Sequence, residues 1–119
     1  MADGQDWARP VVHFEIEARD PDALVPFYEA MFNWPVADGF IRTFPAGLGG
    51  PEPGPAGHFR RSDRSGVTLY VQVRDLAASL AQAESLGATV TLPPFDVPNG
   101  PTIAGIKDPE GNPVTLVQQ

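Results

Sequence analysis

The chain has 119 residues, 42% of them hydrophobic, a formal net charge of −7 and no cysteine. That length supports one hydrophobic core rather than two independent ones, and the lack of cysteine excludes disulfides, thiolate catalysis and zinc–sulfur sites. The acidic balance disfavours nucleic acid, whose phosphates demand clustered Lys and Arg; the one basic cluster is Arg60, Arg61 and Arg64.

Met1 to Arg9 is polar and acidic and lacks the apolar stretch of a signal peptide. No run approaches the roughly 18 apolar residues of a bilayer span, so no membrane contact is expected and the expected location is the cytoplasm. Val11 to Ala18 then alternates, with Val12, Phe14 and Ile16 on one face and His13, Glu15 and Glu17 on the other, which reads as a half-buried strand. Asp20-Pro21 supplies a helix N-cap followed by proline at the first helical position. Ala23, Leu24, Phe27, Tyr28 and Met31 follow at helical spacing as one apolar stripe, and Pro26 inside that helix is expected to kink it.

Phe40 to Phe44 reads as a short strand. Ala46 to Gly57 holds eight Gly or Pro in twelve residues and reads as a mobile loop, since neither flank is long enough to fold alone. Gly57 to Arg61 reads as another short strand. Val67 to Val73 alternates again, with Thr68, Tyr70 and Gln72 opposite the valines and Leu69. Asp75 caps a second helix carrying Leu76, Leu80, Ala83 and Leu86 and stopped by Gly87. Strands fit Thr89 to Leu92, Thr102 to Lys107 and Pro113 to Gln118, and Asp108 to Asn112 is a turn.

An offset of 55 residues lays Asp20 on Asp75, Arg19 on Arg74 and Val12 on Val67, and Gly57–Arg61 on Asn112–Leu116. The chain therefore reads as a single α+β domain over 1–119, built from two tandem β-α-β-β-β modules, about 9–61 and about 66–119. Each helix covers one sheet face, so the other faces must cover something else. A partly open eight-stranded barrel around a cavity satisfies that demand, and such cavities take small ligands.

The residues H-F-E-I-E-A-R-D-P-D and F-Y-E-A-M-F-N-W of 13–34, with V-Q-V-R-D-L, A-E-S-L-G-A-T-V and K-D-P-E-G-N-P of 71–113, resemble a glyoxalase/bleomycin-resistance/dioxygenase domain of the vicinal oxygen chelate superfamily. The resemblance covers nearly the whole chain and implies four metal-ligand positions, on the first and last strand of each module. Carried onto this sequence they are His13, Arg60, Thr68 and Thr115. One imidazole, one guanidinium and two hydroxyls do not make a divalent-metal site, because Arg has no lone pair to give. No metal and no cofactor are expected, although Glu15 or Glu17 beside His13 is the route by which a weak metal site could form.

The same positions suit a polar organic ligand. Arg60 can grip an anion, His13 can donate, accept or shuttle a proton, Thr68 and Thr115 can hydrogen-bond, and Tyr70 offers an aromatic wall. Glu15 completes the set, as a ligand-binding group or as an internal partner of Arg60. A bland account stands beside each: a structural histidine, a solvated arginine, a core tyrosine, and acidity that serves solubility. The first function expected is metal-independent binding of a small organic molecule, with no catalytic residue and with an acidic cleft suited to a cationic drug, as in bleomycin-resistance members. The alternative is a lyase, isomerase or dioxygenase-like enzyme with His13 as general base, so enzymatic activity is left open. The resemblance also implies a homodimer.

Overall fold

A computed structural model describes residues 7–50 and 53–118. The polar reading of residues 1–6, and the part of the Gly/Pro loop at 51–52, fall outside the described residues. The elements in chain order are β1 (Val11–Ala18), α1 (Pro21–Phe32), β2 (Arg42–Phe44), β3 (Ala56–Arg61), β4 (Gly66–Val73), α2 (Leu76–Ser85), β5 (Thr89–Asp96), β6 (Thr102–Lys107) and β7 (Pro113–Gln118). The chain divides into two compact units, Val12–Tyr70 and the remainder, with β4 running from one into the other.

In the Val12–Tyr70 unit the strand order is β2-β3-β1-β4. β1 and β3 pair in parallel, with Phe14 beside Gly57, Glu15 beside His58 and Glu17 beside Arg60. β2 joins β3 antiparallel. Alternation along β1 and β3 sends Ile16 and Phe59 to one face, where they are buried with Val25 of α1 and Phe44 of β2. Phe14, Leu24, Tyr28, Trp34 and Val36 close this core.

Helix α1 begins as its sequence requires: the Asp20 carboxylate accepts from Ala23 N–H and Pro21 holds the first turn. It ends at Asn33, whose left-handed backbone Asn tolerates well. The helical span includes Pro26, and the expected apolar stripe needs correction. Its buried row is Pro21 and Val25 with Leu24 and Tyr28, whereas Phe27 and Met31 are more than half exposed.

The other unit has its own core of Val73, Leu76, Ala104 and Leu116, with strand order β7-β6-β5. α2 is capped by Asp75 and closed by the paired bonds Gly87 N–H to Glu84 O and Ala88 N–H to Ala83 O. That 5→2 and 6→1 pair is a Schellman motif with glycine at the left-handed position. β5 runs four residues further than expected, to Asp96, with one register shift between Val90 and Leu92 and a second where Pro93 and Pro94 interrupt the ladder.

The fold is α+β with mixed strand pairing, and the described residues form seven strands rather than eight. The absent strand has a local cause. At the offset of 55 the counterpart of β5 falls on residues 34–41, which hold Pro35 and Gly39, the latter at φ +125°. Instead of pairing, this stretch turns back so that Ala37 N–H donates to Thr43 O, and it sends Trp34 and Val36 into the core. Among the described residues β2 and β5 each pair on one side only. No helix among the described residues is long and apolar enough to cross a membrane.

Candidate functional site

The face of β1 and β3 opposite α1 carries a connected polar network, and parallel register is its cause. Side-by-side pairing of Glu15 with His58 and of Glu17 with Arg60 brings two acids against two basic groups. His58 Nε2 lies 2.9 Å from Glu15 Oε2, and Arg60 Nε donates to the same oxygen at 2.7 Å. Arg60 Nη2 also donates to Glu17 Oε2 at 2.9 Å, where Ser62 Oγ donates at the same distance. Arg64 Nε completes the group at 3.2 Å from both Glu17 oxygens. The internal Arg60–Glu15 pair expected from sequence is therefore present, with Glu17 as a second partner.

Both acids are buried: Glu15 is 7% and Glu17 3% exposed. A buried carboxylate persists only with strong donors, and each has at least two. Burial alone would raise the Glu15 carboxyl, but hydrogen bonds from His58 and Arg60, and their charge, bring it down from the ordinary 4.5 to about 2. The hydrogen bond to Glu15 in turn raises the Arg60 guanidinium above its ordinary value, against the effect of burial.

The network reaches His13. Its Nε2 lies 2.8 Å from His58 Nδ1, and the two rings are tilted 34° with centroids 5.0 Å apart. Tyr70 of β4 packs edge-on against both, 5.0 Å from His13 and 6.0 Å from His58. Burial, then the neighbouring His58, lowers the His13 imidazole from its ordinary value despite the opposing pull of Glu15.

Of the six residues singled out from sequence, the structure brings His13, Glu15, Arg60 and Tyr70 into one network. Thr68 is buried on β4, 6% exposed, two residues before Tyr70. Thr115 lies on β7 in the other unit, paired with Gly105. Sequence reading missed His58, Ser62 and Arg64. His58 was within reach, because a residue two before Arg60 on a strand must share its face.

The resemblance implies a metal on this face, and the donors do not fit one. Both His58 nitrogens and His13 Nε2 are engaged, Glu15 is bound by His58 and Arg60, and Arg60 itself stands at a ligand position without a lone pair. Among the described residues no three His, Asp or Glu side chains are grouped to hold an ion.

The strand–helix repeat, together with the match to a glyoxalase-like domain model, puts the protein in the vicinal oxygen chelate superfamily. The chain belongs to the glyoxalase-like domain family, whose model matches residues 13–117. It is similar in fold to a hypothetical protein of Bacillus halodurans C-125 (TM-score 0.65, 12% identity, 95% of this chain and 96% of that one). It is also similar to methylmalonyl-CoA epimerase in complex with methylmalonyl-CoA and ammonium (0.63, 19%, 95% and 96%). A third relative in fold is the Mn(II)-bound glyoxalase of Novosphingobium aromaticivorans (0.65, 20%, 93% of this chain and 40% of that one). No curated protein sequence matches this one.

Proposed function

We propose that the protein binds a small organic molecule, without a metal, on the polar face formed by β1, β3 and β4. The observation that carries this reading is the placement of Arg60, which holds both Glu15 and Glu17 and so takes up the carboxylates an ion would need. His13 can meet a ligand by hydrogen bonding and Tyr70 by its ring, with Thr68 as a further hydroxyl contact. Because each acid is held by a guanidinium, the face carries little unbalanced negative charge. A neutral or anionic polar ligand therefore suits it better than a cationic drug.

A fold neighbour holds methylmalonyl-CoA, so acyl-CoA thioesters belong in the first ligand panel together with small carboxylic acids. Thermal-shift measurements against that panel, and against Mn²⁺, Zn²⁺ and Ni²⁺, are expected to show organic ligands that raise the melting temperature and no metal that does. Stabilisation by a metal, with about one equivalent retained by elemental analysis, would falsify the metal-free reading.

A second reading is favoured by the chain Glu15–His58–His13: a lyase or isomerase in which His13 removes a proton from the bound molecule. A carboxylate behind two imidazoles is an arrangement that fixes and supports a general base.

A further inference from the structure

We propose that Glu15, His58 and His13 form a fixed relay that makes Nδ1 of His13 the proton acceptor for an acidic O–H, N–H or C–H of a bound molecule, with His58 as the positioning residue. The proposal deepens the second reading above and rests on it. Its logic is hydrogen-bond bookkeeping along two strands. Glu15 is ionised, so its oxygens only accept, and His58 Nε2, 2.9 Å away, must carry a hydrogen. In the uncharged form of His58 that is its one N–H, and Nδ1 is a lone pair. That lone pair faces His13 Nε2 at 2.8 Å, so Nε2 is the donor. The hydrogen of neutral His13 is thereby fixed on Nε2, and Nδ1 keeps a lone pair with no hydrogen bond from any described residue.

The same chain can disperse the charge created by proton transfer. A proton leaves the bound molecule, whose bonding pair stays behind as an anion, and adds to His13 Nδ1. The hydrogen on His13 Nε2 can then pass to His58 Nδ1. His13 ends neutral with its hydrogen on Nδ1, and His58 ends as an imidazolium against the Glu15 carboxylate. One proton has entered the chain, one has moved within it, and the positive charge rests beside a buried anion. The groups facing the pair are Glu15 and Glu17 from β1, Arg60 from β3 and Tyr70 from β4, with Arg64 reaching Glu17. The two acids and two guanidiniums offset one another, and burial and the neighbouring His58 lower the His13 imidazole from its ordinary value against the pull of Glu15.

The sequence has only two histidines, which makes the relay directly observable in the free protein. Long-range ¹H–¹⁵N correlation of the imidazole rings as a function of pH reads which nitrogen of each ring carries hydrogen. We expect hydrogen on Nε2 of both rings near neutral pH. Glu15→Gln, whose amide can either donate or accept, is expected to leave His58 as a mixture of tautomers. His58→Phe is expected to leave His13 as a mixture of tautomers. Hydrogen on His13 Nδ1 in the unaltered protein overturns the proposal, and that result does not depend on a variant that folds. The relay is read from the free protein and ligand binding from the thermal panel, so either can fail while the other stands.

Discussion

Glu15 is a carboxylate that the fold keeps ionised in a nearly solvent-free position, and its stability contribution has a definite pH signature. Its folded value of about 2 lies below the ordinary 4.5. The sign follows: the stabilisation is complete above the ordinary value and is lost as pH falls through about 2, because the unfolded chain takes up the proton first. Glu15→Gln is expected to cost on the order of 3 kcal/mol near neutral pH. The gap to the unaltered protein should close on acidification towards pH 2, as measured by urea titrations at several pH values. A gap independent of pH would show that packing rather than charge is responsible. Arg60→Ala removes a donor from both acids; since Arg60 is 41% exposed and screened by water, the expected cost is smaller, about 1–2 kcal/mol. The half of the network on β1 was legible in the sequence, because period-two alternation alone puts His13, Glu15 and Glu17 on one face. Alternation also puts His58 on the face of Arg60, but its pairing with Glu15 depends on the parallel register of two strands separated by a helix and a loop, which no local pattern records.

The row Phe14–Gly57–Phe44 crosses three strands in register, and its middle member works by lacking a side chain. With nothing on Gly57, the rings of Phe14 and Phe44 meet across it edge to face, 5.3 Å between centroids. A Cβ there would collide with the Phe44 ring and come within 2.8 Å of the Phe14 carbonyl oxygen. Backbone on one side leaves little room to relax, so Gly57→Ala should destabilise by about 1–3 kcal/mol, seen as a lowered melting temperature. An unchanged melting temperature would mean that β3 does not sit between β1 and β2 as described. At this scale the caps were the most legible features: Asp20, Pro21, Asp75 and Gly87 each act where the sequence placed them, since capping is settled within one turn of chain. The buried row of α1 was harder to read. Several apolar residues surround that helix, and only the sheet beneath decides that Val25 is fully buried while Met31 is 61% exposed. The repeat similarly foretold eight strands, but Pro35 and the turn at Gly39 convert one of them into a loop that serves the core.

The chain leaves large apolar side chains in water, which bears on its assembly. Phe27, Met31 and Phe32 of α1 and Phe40 before β2 are all more than half exposed, Phe40 at 87%, and β2 has an unpaired edge. Exposed apolar residues next to an open strand edge favour association, and we expect a homodimer. Light scattering should give twice the chain mass of 12.7 kDa at micromolar concentration, and a stable single-chain mass would refute it. Family membership was legible because its motifs recur in order along the chain, whereas the ligand was not, because the same face admits several chemistries. One further property lies in the distribution of tryptophan. The sequence has two, and the fold assigns one to each compact unit in contrasting surroundings. Trp34 is stacked between Phe44 and Tyr28, with ring centroids 4.6 and 5.3 Å away, whereas Trp7 lies under the Arg74 guanidinium at 4.2 Å. The protein thus carries two intrinsic fluorophores: one in an apolar setting that emits at shorter wavelength, the other beside a cation. Trp7→Phe and Trp34→Phe would isolate each signal, so that a single denaturant titration of each variant reveals whether the two units melt as one or in succession.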